Sequence, residues 1–264
     1  MKAHSIEEHH KAAHDFESRY QVMRQDYHGL SFTYGRKKIQ DLLQDYLNQI
    51  PKAGHVLDIG CGTGEQLRLC NALGFVASGL EPAANMREIA QRNNPGMEIL
   101  DGTCTRLPYA NGSFDFVFAL EVLRYLMYED VLQSYKEMIR VARPGGVLFF
   151  TMVNRYALDG YYIYNGLRHV VASILRTKLP IQCHFTTPKE VRHDLQRLGI
   201  KEILHFGRMQ GLLRLFYRTH DGVGSYVAKR LESMDDWISR QSWSVPFAGH
   251  LIIVARIPAL SDRL

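Results

Sequence analysis

The sequence predicts an α/β fold: a mostly parallel, seven-stranded sheet with helices on both faces. Three observations predict it. From His55 onward, short apolar runs alternate with stretches of helical periodicity, the pattern of consecutive parallel crossovers. Two of the runs, FDFVFAL (114–120) and VLFFTMV (147–153), are almost wholly apolar, as strands covered on both faces are. The first run, HVLDIG, leads into a cluster of glycines and then a helix. The 264 residues suffice for one such domain, and 46% apolar with 22% charged residues is an ordinary balance for a folded one.

Each element has its own signal. Ser5 and Glu8 have capping-box spacing and open a helical N-terminal segment. Ile39, Leu42, Leu43, Tyr46, Leu47 and Ile50 share one face of a second helix, stopped by Pro51 and Gly54. Strand one is HVLDIG, and its helix reaches Leu73, with Gly74 as the stop. FVASGL is strand two. Pro82 opens a helix carrying Met86, Ile89 and Ala90 on one side. MEIL and FDFVFAL are strands three and four. The next helix carries Val131, Leu132, Tyr135, Met138 and Ile139, RPGG is a turn, and VLFFTMV is strand five. Thr187, Pro188 and Glu190 cap a helix continued by Val191, Leu195 and Leu198 and ended by Gly199. KEILHF is strand six. Val227, Leu231, Met234 and Ile238 mark an amphipathic helix, and GHLIIVAR is strand seven. Residues 155–185 and 207–224 do not fit the repeat.

The four cysteines, Cys61, Cys70, Cys104 and Cys183, are dispersed, with neither a disulfide framework nor zinc spacing. That usage fits a reducing, cytoplasmic setting. The N-terminus shows no apolar signal core, and the longest apolar run is too short to span a bilayer. The net charge of +5 is mild.

The chemistry concentrates at the ends of the strands. In VLDIGCGTG, Gly60, Gly62 and Gly64 allow a tight turn and close approach of a ligand to a helix N-terminus. A dinucleotide-binding turn needs a further glycine where this chain has Glu65, so a nucleoside without a diphosphate fits better. Glu81 ends strand two and can accept hydrogen bonds from two ribose hydroxyls. Asp101 follows strand three and can accept from an exocyclic amine. Glu121 ends strand four.

As an ordered set, VLDIGCGTG, Glu81-Pro82 with Met86, DGTCTRLPYANGSFDFVFALEVLRYL, IRVARPGGVLFF and FTTPKEVRHDLQRLGI resemble the class I S-adenosylmethionine-dependent methyltransferases, specifically the small-molecule type 11 group. The resemblance implies a Rossmann-like sheet with an antiparallel last strand, GHLIIVAR, inside it, and S-adenosyl-L-methionine as cofactor. By the same resemblance, Gly60, Cys61 and Gly62 lie against its methionine part and Asp58 supports that loop. Glu81 holds the ribose, while Pro82 and Met86 flank the adenine. Asp101, Gly102 and Thr103 meet the adenine edge, and Leu120 and Glu121 close the floor near the sulfonium. Two departures stand out. Tyr125 occupies a position where the family often has His. Leu120-Glu121-Val122 replaces the motif of nucleobase-amine methyltransferases.

These readings give one domain over 1–264: N-terminal helices to residue 50, a cofactor-binding core at 51–154, and substrate-cap elements at 155–185 and 207–241. The expected activity is methyl transfer to an oxygen, nitrogen or carbon of a small molecule. A non-catalytic cofactor-binding subunit that regulates a partner enzyme is the alternative. No motif fixes a general base; Tyr125, His184 and His220 are the candidates. Tyr20 and Arg36 are candidates to cover the cofactor and pair with its carboxylate. His10 and His14 are one helical turn apart, which a solvated helix explains better than a metal site. Residues 155–185 are rich in tyrosine and basic residues, including Arg155, Arg168, Arg176 and Lys178, with Asp159 as their one acid. Arg208, Arg214 and Arg218 surround LLRLFY. Such text suits a cap for an acidic or amphipathic small molecule or a peripheral membrane contact, and nucleic acid less. Packed helices with a basic outer face explain it equally.

Overall fold

The computed structural model describes residues 2–177, 183–208 and 211–259, so Lys178 lies outside the described residues. Its strands form one sheet. In chain order they are β1 (His55–Ile59), β2 (Val76–Leu80), β3 (Glu98–Leu100), β4 (Phe114–Ala119), β5 (Ala142–Asn154), β6 (Phe185–Thr186), β7 (Glu202–Arg208) and β8 (His250–Arg256). The spatial order is β3-β2-β1-β4-β5-β8-β7, with β6 pairing β5 off that path. β8 runs antiparallel to both neighbours, β5 and β7, and every other pairing is parallel. The fold is the expected mostly parallel α/β sheet, with eight strands instead of seven. The extra strand exists because β5 outruns β4: Ala119 pairs with Phe150, which leaves Val153 and Asn154 to pair with Phe185 and Thr186.

Helices α1 (Lys2–Gln25) and α2 (Ser31–Leu47) precede the sheet. Then come α3 (Glu65–Ala72), α4 (Ala84–Asn93), α5 (Tyr128–Val141), α6 (Tyr161–Ile174), α7 (Pro188–Arg197), α8 (Gly211–Thr219) and α9 (Asp221–Ser239). Alternate residues of the central strands serve opposite faces. Val117, Ala119, Leu148 and Phe150 pack under Val131, Tyr135 and Met138 of α5 and Val191 and Leu195 of α7. Phe116, Phe118 and Phe149 pack under Ile39, Leu43 and Leu47 of α2 and Leu67 of α3. The capping box of α7 forms as its spacing requires: Thr187 N–H donates to Glu190 Oε2 (2.9 Å) and Glu190 N–H to Thr187 Oγ1 (3.3 Å).

Several local expectations are corrected. α1 starts at Lys2, so Ser5 and Glu8 lie within the helix and not at its start. α4 starts at Ala84, two residues beyond Pro82, because the Glu81 carboxylate accepts Ala83 N–H at 2.9 Å and holds Pro82-Ala83 as a turn. RPGG is no turn between elements: Ala142 already pairs with Phe114, and a register shift absorbs the glycines. α9 buries Gly224, Ala228, Asp235 and Ser239, while Met234 stays exposed. Ion pairs rotate it: the buried Lys38 ammonium of α2 takes Glu232 (2.6 Å) and Asp236 (2.7 Å), and the Tyr34 hydroxyl donates to Asp235 (2.9 Å).

Phe149 is fully buried in the layer under α2. Phe149→Ala is expected to lower unfolding free energy in urea by about 3–5 kcal/mol, against less than about 0.5 kcal/mol for the half-exposed Val76→Ala. Equal losses would contradict this account of the core.

Candidate active site

A cavity of about 340 Å³ opens at the carboxyl ends of β1, β2 and β4, where ligands bind in open α/β sheets. Its floor is the glycine turn after β1. Gly60 and Cys61 N–H both donate to Leu80 O (2.7 and 3.1 Å), which folds the turn back over β2. Gly60 sits at φ +71°, and a Cβ there would stand 2.4 Å from Val122 Cγ2. At Gly64, φ +82°, a Cβ would strike the Asn94 amide at 2.2 Å. Both positions therefore require glycine. Glu65 begins α3, with Arg68 at 2.8 Å and Arg24 at 3.6 Å. It puts a carboxylate at the helix N-terminus that a pyrophosphate would need.

Glu81, 6% exposed, holds the turn: Oε2 accepts Gly62 N–H and Oε1 accepts Ala83 N–H, each at 2.9 Å. Burial raises its carboxyl pKa, and those two N–H donors counter the rise. Each oxygen keeps a second lone pair for a ligand donor. Pro82, Met86, Gly102, Thr103 and Leu120 line the same cavity.

Glu121 closes the far end. It is a non-glycine residue at φ +63°, a conformation costing about 1–2 kcal/mol. Its bonds hold it there. Its N–H donates to Thr151 Oγ1 (2.7 Å), that hydroxyl donates to Oε1 (2.9 Å), and Arg124 Nη1 donates to Oε2 (2.7 Å). His250 Nε2 lies 3.4 Å from Oε2. Burial alone would raise this carboxyl, yet His250, Arg124 and Arg36 hold it well below the usual carboxylate range.

The N-terminal helices supply the remaining wall. One face of α1 is packed while His14 on the other stays 85% exposed: Ala13 packs against Ala83, Met86 and Ile89, and His10 Nδ1 accepts Asn85 N–H at 3.3 Å. This brings Ile6, His9, Phe16 and Arg19 to the cavity together with Tyr20, Phe32 and Arg36. The Arg36 Nε–H donates to the Tyr20 hydroxyl at 2.9 Å, and Nη1 is buried with no hydrogen-bond partner among the described residues. The stripe Ile6, His9, Ala13, Phe16, Tyr20, Met23 has helical spacing and could have revealed this face from sequence.

Other expected residues lie elsewhere. Asp101 is not on the cavity wall: it is 69% exposed, with Arg87 at 3.3 Å. Asp58 lies behind the turn, fully buried. Tyr125 lines the cavity edge-on to His9, with ring centroids 4.9 Å apart, and burial raises its phenol. A raised phenol suits a donor better than a base. His184 belongs to a neighbouring cavity with Tyr128, Arg155 and Tyr162. His220 is exposed, and its Nδ1 caps α9 by accepting Gly222 N–H at 3.0 Å.

Residues 57–150 match the methyltransferase domain family. An uncharacterised protein of Methanocaldococcus jannaschii is 27% identical over 77% of this chain and 83% of its own length. The demethylmenaquinone methyltransferase of Bacillus licheniformis is 34% identical over 48% of this chain and 58% of its own length. The chain therefore spans little more than half of that named enzyme. An S-adenosylmethionine-dependent methyltransferase of Thermotoga maritima has the same fold, with TM-score 0.58, 20% identity, and coverage of 94% of this chain and 97% of that one. Residues 57–150 thus carry a methyltransferase domain, on a fold shared with that S-adenosylmethionine-dependent enzyme.

Burial pushes the Asp58 carboxyl up to about 8 from 3.8; Arg36 opposes the shift and Glu81 adds to it. The folded state thus holds this proton more tightly than the unfolded chain. The resulting stability is complete below about pH 3.8 and is lost as pH rises through about 8. Urea unfolding of the ligand-free protein across that window is expected to show a decline that Asp58→Asn reduces. Identical slopes would mean that Asp58 is ionised in the fold.

Proposed function

We propose that this chain transfers the methyl group of S-adenosyl-L-methionine to a small-molecule acceptor bound between Tyr125, Arg124 and the N-terminal helices. The observation that carries this reading is the pair of unmet demands on one cavity. The buried Arg36 Nη1 needs an anion, and Glu81 has lone pairs for two donors. A ligand bearing a carboxylate at one end and a vicinal diol at the other answers both.

Arg36, oriented by Tyr20, takes the cofactor carboxylate. Glu81 takes the ribose hydroxyls. Pro82 and Met86 flank the adenine, and Gly102 and Thr103 bound its edge, without Asp101. Gly60, Cys61 and Gly62 let the methionine chain approach the backbone, with Asp58 behind them. The cofactor supplies an activated methyl group that an acceptor lone pair displaces from sulfur, leaving a neutral thioether. The chain's part is orientation and exclusion of water. Leu120 and the ion-paired Glu121 face the cationic end, where a carboxylate kept ionised is favourable. Arg19 and Arg124 make the acceptor side receptive to an acidic or amphipathic molecule.

Calorimetry with S-adenosylhomocysteine tests the placement. Glu81→Ala and Arg36→Met are each expected to weaken binding ten-fold or more, about 1.4 kcal/mol for a lost charged hydrogen bond. NAD is expected not to bind. Unchanged affinity in either variant, or binding of NAD alone, would contradict the proposal.

A further inference from the structure

α6 is built inside out. Over its 14 residues it buries Asn165 and Ala172 and turns its apolar side to solvent. Ile163, Leu167, Val170, Val171 and Ile174 recur at helical spacing on that outer side, with Ile163 67% and Ile174 73% exposed. A helix that packs as part of a soluble surface has the opposite arrangement. The face continues onto α8. Arg218 of α8 lies over the Tyr164 ring at 5.4 Å, and α8 exposes Leu215 and Phe216.

The charge on this surface has one sign. Arg168, Arg176 and Arg218 are exposed on it. The one acid of residues 155–177, Asp159, is 3% exposed, and Arg214 neutralises it at 2.6 Å. α8 contains no acid. A second copy of the chain docked face to face would set arginine against arginine. An anionic headgroup layer over hydrocarbon meets both features, because it offers charge to the guanidinium groups and apolar depth to the isoleucine and leucine side chains. Among the described residues no helix is long and apolar enough to cross a membrane, so the contact is one of a helix lying in the interface.

We propose that the outward faces of α6 and α8 dock this protein on an anionic lipid surface, with α6 lying parallel to it. The docked face borders the cavity. The hydroxyl of Tyr161, the first residue of α6, is 3.3 Å from Arg124 Nη2, and Arg124 lines the cavity wall. Docking itself does not depend on methyl transfer.

Flotation with vesicles tests this with the full chain. The protein is expected to float with vesicles of phosphatidylcholine and phosphatidylglycerol in equal parts, and at least ten-fold less with phosphatidylcholine alone. Ile163→Glu with Ile174→Glu, and separately Arg168→Glu with Arg176→Glu, are each expected to lower the partition coefficient on the order of ten-fold or more. Both pairs are exposed, so melting temperature and S-adenosylhomocysteine affinity should hold. Absence of flotation, equal flotation of the variants, or indifference to phosphatidylglycerol would overturn the proposal. So would a dimer that the Ile163→Glu, Ile174→Glu variant dissolves while the wild type ignores vesicles.

Discussion

The candidate site depends on one buried carboxylate. Glu81 stands at the end of β2 and receives N–H groups from both sides, Gly62 of the turn after β1 and Ala83 before α4. It fixes where the glycine turn sits, and it delays α4 until Ala84. Met86 and Ile89 are thereby placed where α1 can pack on them. Removing water from a carboxylate is costly, and two aligned N–H donors make the burial tolerable. Each oxygen keeps a lone pair unused on a carboxylate that lines the cavity.

The far end works by a different balance. Glu121 adopts a left-handed backbone conformation and is less buried than Glu81, and side chains stabilise its carboxylate instead of backbone amides. Arg124 comes from the turn after β4 and His250 from the antiparallel β8. The antiparallel strand inside the sheet therefore has a chemical consequence: it brings the buried His250 to within 3.4 Å of Glu121. Arg36 adds the positive charge of a second guanidinium from α2. The cavity thus has a carboxylate at each end and a guanidinium with an unfilled bonding position along its wall.

What was legible in the sequence was what local geometry forces. Gly60, Gly62 and Gly64 announce a turn because no other residue accepts their conformations without strain, and Glu81 follows from its place at a strand end. The alternation of strands and helices was legible from periodicity, whereas the interior position of β8 followed only from the resemblance to the methyltransferases. The exposed Asp101 does not line the cavity and pairs with Arg87 of α4, an interaction across two elements that spacing does not reveal. On α9, Val227 and Leu231 pack as their spacing predicts, but Met234 is exposed, and Lys38, far away in the chain, pairs with Glu232 and Asp236 beside it. α1 read as solvated because histidine, arginine and glutamate interrupt its stripe. Its role emerges only with Ala13 seated on α4. In the Glu121–Arg124–His250 group the first two are an i,i+3 pair, but His250 comes from a strand far along the chain.

The central claim is that Glu81 and Arg36 mark the two ends of one cofactor. A crystal structure with S-adenosylhomocysteine bound tests it most directly. The account predicts both ribose hydroxyls within hydrogen-bonding distance of the Glu81 carboxylate and the ligand carboxylate on Arg36 Nη1. A ligand carboxylate directed away from α2, with Arg36 still unpaired, would contradict it.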